Sequence, residues 1–466
     1  LTDTVAQRTE AVSAMVQAAA KGRALMGGTD AMRSKGETYL PKFPSESDEA
    51  YKARKNSTFL FNGYKKTVRD MTGKVFDKPV ELTEGAPEKL KAWCENADLQ
   101  GRDLSAFAKD VFKKGYDAGI SYIMVDAPRR EGEVTQAQAE RQNLRPYLVH
   151  LTVEDVLGWK TAVIGNVTVL SQLRIMETVQ KDDPEDEFKS VSLQQVRVLD
   201  RAPDGVTVRL FRQNEKKEWA EAERYKSAAK EITVIPFYAE RTGFFIGEPV
   251  LEDLADVNIA HWQSQSDQRN ILHSARVPIL FAAGRDDEAP LVISAGSATT
   301  SRNPNAKLEW VEHSGAAIES GRQDLKDLEF QMEALGLQLL VARAQSATGE
   351  ALDAAKETSQ LSMMADSLKD ALEQAMVWMG FYGGLGDTGA AVSVNKDFGV
   401  SLLTAQELTA MIAAVNNGHM SRETFLEEMK RRGFVRADLD TEAELDRLSE
   451  TAPDLQGSKL SLGDAT

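Results

Sequence analysis

The sequence predicts an α+β protein in which a body of helices and antiparallel strands carries a helical stalk. Three observations predict it. Between Pro146 and Tyr238, short runs of Val, Ile, Leu and aromatic residues (PYLVHL, VLGWK, TVLSQLRIMETV, LQQVRVLD, GVTVRLFRQ, ITVIPFY) are separated by turn residues such as Pro184 and Asp204-Gly205, the pattern of an antiparallel meander. On both sides of this region apolar residues return at helical spacing. From Glu248 to Gly380 the chain reads as a helix, a small excursion, a second helix, a soft connection and a longer helix.

Composition narrows the function classes. With 466 residues the chain exceeds one ordinary core, and about two to four domains are expected. Its 42% hydrophobic and 27% charged residues exclude a disordered chain. No run approaches the length of a membrane span, and the first residues lack the apolar core of a signal peptide. The chain begins at Leu1 and not at methionine, so residues preceding it are expected. Cys94 is the only cysteine, which excludes an internal disulfide framework and a multi-thiolate metal site and fits a reducing compartment. The five histidines (His150, His261, His273, His313, His419) show no metal-ligand spacing, so packing or surface roles are expected and no metal or cofactor. The net charge of −16 argues against an ordinary DNA-gripping module. It is compatible with a pore through which DNA slides, because an acidic wall repels phosphate, and equally with an ordinary soluble acidic protein.

In chain order, Val5, Val12, Met15, Val16, Ala19 and Ala20 predict an amphipathic helix over residues 1–26. The following stretch, through Leu40-Pro41-Lys42-Phe43 to Tyr51-Lys52-Ala53-Arg54, is rich in Gly, Ser and Pro and reads as loop. From Asp48 a stripe of Tyr51, Phe59, Phe61, Tyr64, Val68 and Met71 predicts one helix to Gly73. Asp103 or Ser105 can cap a helix bearing Leu104, Phe107, Val111 and Phe112, closed by Gly115 and Gly119. A buried strand over Ile120–Val125 should follow, ending at Asp126.

The stalk has its own signals. A helix bearing Leu251, Leu254, Val257, Trp262, Ile271 and Leu272 stops at Arg276-Val277-Pro278, where proline disfavours helix at the residue before it. The stretch Gln263-Ser264-Gln265-Ser266 is unusually polar; it either meets a copy of itself or a channel, or is an exposed patch. The excursion opens with the strand VPILFAAG and closes with a strand near Lys307 to Glu312. Leu325, Leu328, Met332 and Leu335 give the second helix an amphipathic stripe. Thr348 or Ser346 is expected to cap a helix from about Glu350 to Gly380 bearing Leu352, Leu361, Met364, Leu368, Leu372 and Met376, broken by Gly383-Gly384-Leu385-Gly386. Two helices follow, Thr404 to Val415 and one starting at Ser421.

The words LPKF, Ser47-Asp48 with Tyr51-Lys52 and Arg54, VFDKP, GRDLSAFA, SYIMVDAP, HWQSQSDQRNILHSARVPILFAAG and ETSQLSMMADSLKDAL occur in this order from about residue 38 to residue 380. Together they resemble the portal proteins of tailed bacteriophages. The resemblance implies a non-catalytic ring, usually of twelve subunits, at one vertex of a phage head, within the virion and assembled in the host cytoplasm. It implies a wing at residues 1–246, a stem helix at 247–276 and a small α/β clip at 277–321. A second stem helix at 322–335, a tunnel loop at 336–349, a long wing helix at 350–386 and a helical crown at 387–466 complete the division. Implied partners are further copies of the chain, the terminase large subunit, a head–tail adaptor, the major capsid and scaffolding proteins, and double-stranded DNA in the channel, with no membrane. On this division Arg343, Gln345, Ser346 and Thr348 of the tunnel loop, with Arg322 and Lys326 of the stem, are the candidates to face DNA. Arg285, Asp286, Asp287, Arg302, Asn303 and Asn305 of the clip are the candidates for partner docking. Two other readings stay open: another head–tail structural protein such as an adaptor or minor capsid protein, and a hydrolytic enzyme for which Asp126, His261 and His273 are the candidates.

Overall fold

The computed structural model describes residues 3–128, 141–183, 186–214, 216–275, 279–284, 303–311, 316–337, 359–386, 388–396, 398, 411–415, 417–431, 435 and 439–451. They form an α+β fold in two compact units, Leu1–Lys396 and Asp397–Thr466.

The N-terminal region is more helical than its glycines suggest. A 3-10 turn at Asp3–Ala6 precedes α1 (Glu10–Ala18) and α2 (Ala20–Lys35), and α2 passes through the expected loop by kinking at Gly28, which takes φ 80°. The single helix expected from Asp48 is two, α3 (Asp48–Ser57) and α4 (Gly63–Val75). Each has its own cap: Ser47 accepts from Ala50 N, and Asn62 accepts from Lys65 N. The break between them leaves Phe59 and Phe61 half-exposed instead of in a continuous stripe. After β1 (Glu81–Leu82) comes α5 (Glu88–Cys94), a short helix additional to those the sequence predicts.

Helix α6 (Leu104–Ala118) follows the prediction. Asp103 caps it by accepting from Ala106 N at 2.7 Å, while Ser105 Oγ accepts from Val80 N instead. Gly119 ends it at φ 71°, and a side chain there would strike the Glu248 backbone, so glycine is required twice over. The chain turns straight into β2 (Ile120–Asp126), the central strand of a sheet ordered β3-β2-β9, with β3 at Tyr147–Leu151 and β9 at Val234–Tyr238.

The predicted meander is in part a second antiparallel sheet of β4 (Val156–Ile164), β5 (Val167–Asp183), β6 (Asp186–Ala202), β7 (Gly205–Gln213) and β8 (Trp219–Lys226), in that order; its first and last expected runs, PYLVHL and ITVIPFY, belong instead to the first sheet as β3 and β9. Strand β8 lacks the apolar signal of the others, since four of its eight residues, Glu221, Glu223, Arg224 and Lys226, are charged. Residues Tyr122 and Met124 of β2 share a core with α1 and with Leu173, Ile175, Leu199 and Val208 of the meander. The opposite face of the small sheet turns to α6, where Phe237 stacks on Phe112 with centroids 5.5 Å apart. A short hairpin, β10 (Arg241–Gly243) with β11 (Ile246–Gly247), leads out of the body.

The stalk elements are α7 (Glu252–Ala275), an antiparallel ribbon of β12 (Ile279–Ala283) and β13 (Lys307–Val311), α8 (Ala316–Leu337) and α9 (Gln360–Gly383). Helix α8 begins six residues before the expected Arg322, so Gly321 lies inside it. Helix α9 begins at Gln360, where Ser359 caps it by accepting from Ser362 N; the expected start near Glu350 lies outside the described residues. It ends with Gly384 at φ 69°, as the glycine cluster predicts. Leu361, Met364, Leu368, Leu372 and Met376 are buried along it. β14 (Val392–Ser393) pairs with β1.

In the second unit, Ser421 caps α10 (Arg422–Arg431) by accepting from Thr424 N, and α11 (Thr441–Thr451) follows in an acidic stretch. Most of the helix expected over Thr404 to Val415 lies outside the described residues.

Candidate functional site: the helical stalk and its root

Helices α7 and α8 run antiparallel, as three contacts show. Gln268 Nε2 donates to Ile318 O at 2.8 Å, Ser264 Oγ donates to Asp324 Oδ2 at 2.5 Å, and His261 Nε2 lies 3.4 Å from Glu329 Oε1. The ribbon joins their far ends, with Ile279 opposite Val311 and Ala283 opposite Lys307. At the near end the pair is rooted in the body. Trp262 is fully buried, and Gly63 and Gly336 let Met332 and Thr67 press against backbone that a Cβ would push away.

The polar residues of α7 explain themselves at this root. Asn258 is fully buried; its Oδ1 accepts from Tyr64 N at 2.9 Å and its Nδ2 donates to Phe61 O at 2.8 Å, so one side chain ties α7 to the first turn of α4. Gln263 Nε2 donates to Tyr39 O, and Ser266 Oγ accepts from Arg54 Nη1. Gln263, Ser264, Ser266 and Gln268 are therefore bonded within the chain. Of the polar stretch, Gln263, Ser264 and Ser266 thus have partners inside the chain and are half-buried or buried, which the exposed-patch reading does not describe.

Arg54 is the hub. It makes a two-pronged pair with Glu46, both bonds at 2.8 Å, donates to Pro41 O, and lies 4.1 Å above the Phe43 ring. Its hydrogen bonds hold the Glu46 carboxyl below the usual carboxylate range. Tyr51 OH donates to Leu40 O. The words LPKF and Tyr-Lys-x-Arg thus fold into one clamp against α7, with Asp267 3.8 Å from Arg54. A buried guanidinium needs a planar, doubly bonding partner and an aromatic face, and this loop supplies both. His261, buried against Glu329 and the Phe61 ring, is pushed below its ordinary pKa chiefly by that burial, so it is neutral at pH 7.

Of the residues predicted to face DNA or partners, four have described surroundings. Arg322 and Lys326 are exposed one turn apart on α8, with Arg322 3.2 Å from Glu319. Asn303 Nδ2 donates to Gly284 O and its Oδ1 accepts from Asn305 N, so this pair shapes the end of the ribbon. Arg343, Gln345, Ser346, Thr348, Arg285, Asp286, Asp287 and Arg302 lie outside the described residues.

The enzyme candidates sit apart. Asp126 Oδ2 accepts from Arg197 Nη1 at 2.9 Å and from Tyr147 OH, a structural ion pair at the edge of the meander. His273 is exposed at the end of α7. A nucleophile–base pair that spacing did not reveal joins Ser121 to His150 Nε2 at 2.6 Å across β2 and β3. Ser121 is fully buried and burial pushes His150 down to about 4, so the serine hydroxyl of this pair has no exposed surface.

Residues 250–382 match the family model described as Domain of unknown function (DUF4055).

That span runs from the first turn of α7 to the last turn of α9. No curated protein matches the chain. Among solved structures, it is similar to a chain of "Virion of native gene transfer agent (GTA) particle" at 12% identity and TM-score 0.37. It is also similar to chains of "Neck of empty GTA particle computed with C6 symmetry" at 10% and 0.38, and of "Neck of native GTA particle computed with C12 symmetry" at 9% and 0.36. Each likeness covers 80% of this chain and 89% of the other.

Proposed function

We propose that this chain is the subunit of a portal ring: a homo-oligomer of about twelve copies at one capsid vertex, through which double-stranded DNA is packaged and ejected. The observation that supports this most is the antiparallel pair α7–α8, rooted by buried polar clamps and ending in a two-stranded ribbon, in the segment whose sequence resembles portal proteins. On this reading α7 and α8 are the stem and the ribbon is the clip, where the terminase and the head–tail adaptor dock. The body up to residue 246 is the wing and the chain after residue 387 the crown. Arg343, Gln345, Ser346 and Thr348 are the tunnel-loop residues facing DNA.

Two features favour a ring. Helix α8 buries Met332 against the body yet leaves Phe330 and Leu337 bare, 72% and 51% exposed, on a different face. A helix apolar on two faces is suited to a neighbour on each side. About twelve copies at −16 sum to roughly −190, a field that keeps DNA from adhering to the wall. Arg322 and Lys326 are local positive points within it. The role is structural, with the energy for DNA movement supplied by the terminase.

Particle mass and negative-stain images of the purified chain test the reading. A ring of about twelve 51.2 kDa subunits with a central hole is expected. A monodisperse monomer or dimer at high concentration, unchanged by scaffolding and capsid proteins, overturns it.

A further inference from the structure

We propose that the meander sheet joins each chain to the next, the β4–β5 tip of one copy seating on the apolar face of the β5–β6 ribbon of its neighbour. This rests on the ring reading and names the contact that closes it.

Strand β5 carries the argument. Its 17 residues span about 56 Å. Only its middle is buried, at Leu170, Leu173 and Ile175. At one end Val163 pairs with Thr168 and Ile164 with Val167, around a turn of Gly165 and Asn166 at φ 57° and 65°. Val163, Ile164 and Val167 are 71%, 51% and 61% exposed, and the eight residues 161–168 (TAVIGNVT) carry no charge. Sheet ends in water are ordinarily guarded by charges or proline, so a bare apolar tip signals a partner.

At the other end β5 and β6 continue past the body as a two-stranded ribbon. Val179 opposes Leu193 and Lys181 opposes Val191 on one face; Gln180 opposes Ser192 and Asp182 opposes Ser190 on the other. One side of the ribbon thus presents Val179, Val191 and Leu193 beside Lys181, with Val191 and Leu193 each 37% exposed, and Phe188 near its end is 92% exposed. A two-stranded ribbon with no support is marginal in water, so its apolar side needs a cover.

The occupant is a second copy. Two different uncovered apolar surfaces at opposite ends of one sheet are what a head-to-tail contact requires, and such contacts close into rings. Charge agrees. Copies at −16 repel one another, and the tip avoids this by carrying no acid. The tip is flanked by Lys160, whereas the ribbon end is net acidic, with Asp182, Asp183, Asp186 and Glu187 outnumbering Lys181 and Lys189, the latter 3.2 Å from Asp183.

Paired cysteines in the full chain test the contact, since Cys94 is buried. From Thr168 to Val179, the partners of these sites, β5 runs about 36 Å, far beyond the roughly 7 Å Cα reach of a disulfide, so V163C and L193C cannot link within one chain. Under mild oxidation V163C/L193C should give a ladder of covalent oligomers ending at the ring mass. Each single variant should give none, and a mixture of the two singles should stop at dimers. V163D/I164D should lower the ring fraction at least tenfold while leaving the thermal midpoint of the chain unchanged. An intact ring with no ladder, and normal assembly of V163D/I164D, overturns this contact and leaves the ring reading standing. Absence of a ring in the unmodified chain sinks that reading and this contact together. Binding of the unmodified chain to neutral phosphatidylcholine vesicles, lost in V163D/I164D with the ring intact, would make the tip a membrane element and overturn the proposal.

Discussion

Helix α7 and the outward face of α8 lie side by side and use polarity in opposite ways. On α7 the polar residues Asn258, Gln263, Ser266 and Gln268 are half-buried or buried, and each is tied to a named partner inside the chain. On α8 the bare residues are apolar, Phe330 and Leu337, set among exposed charges. A polar run in a helix therefore does not mark a surface for DNA or a neighbour, because backbone carbonyls and a guanidinium can satisfy it internally. An uncovered apolar residue is the stronger sign of an interface, since nothing in the chain compensates its contact with water.

The comparison breaks most easily at the clamp. Arg54→Ala leaves Glu46 buried without its partner and should destabilise the chain by about 3–5 kcal/mol in urea denaturation. Arg54→Lys should recover little of this, because an ammonium cannot make the two-pronged bond. The stabilisation from Glu46 has a defined sign. Its folded pKa is depressed, so it is fully present above the ordinary glutamate value and is lost as pH falls through the folded one. The Ala variant should lack that acid-side loss.

Trp262 tests whether packing or polarity holds the root. Its indole Nε1 has no hydrogen-bond partner in the structure, so the ring is held by contact alone. Trp262→Ala should cost about 3–5 kcal/mol, and Trp262→Phe markedly less. Asn258→Ala orphans Tyr64 N and Phe61 O and should cost about 2–3 kcal/mol, measurable by chemical denaturation.

Asp117 sharpens the contrast from the body side. Buried beside Tyr64, whose hydroxyl donates to it at 3.2 Å, it is pushed by burial from 3.8 up to about 6. A raised carboxyl pKa means the folded state binds the proton more tightly, so stability should fall as pH rises from about 4 to about 6. Asp117→Asn should flatten that slope, with a gain at pH 7 of about 2–3 kcal/mol. The smallest effect is expected on α8. Phe330→Ser and Leu337→Ser should each change the stability of the isolated chain by less than about 0.5 kcal/mol, because neither residue is buried by it. Large losses there would mean that α8 has no free apolar face.

The sequence by itself determined the elements whose signals are local. The caps at Asp103 and Ser421, the glycine stops at Gly119 and Gly384 and the alternation of the meander follow from steric and hydrogen-bonding rules that act within a few residues. The order helix, ribbon, helix was legible for the same reason, with Pro278 and the strand VPILFAAG as its signs. Tertiary structure decided what local rules cannot reach. Helix α2 runs through Gly27-Gly28 because Leu25 and Met32 are buried on either side of the kink, which outweighs the glycine cost. Strand β8 forms despite its charges because Arg209 and Arg212 of β7 pair with Glu221 and Glu223 across it. The clamp at Arg54 joins residues 41, 46 and 266, and no spacing rule connects positions more than two hundred residues apart. Such contacts depend on which surfaces the folded chain brings together, and only the packed structure specifies those.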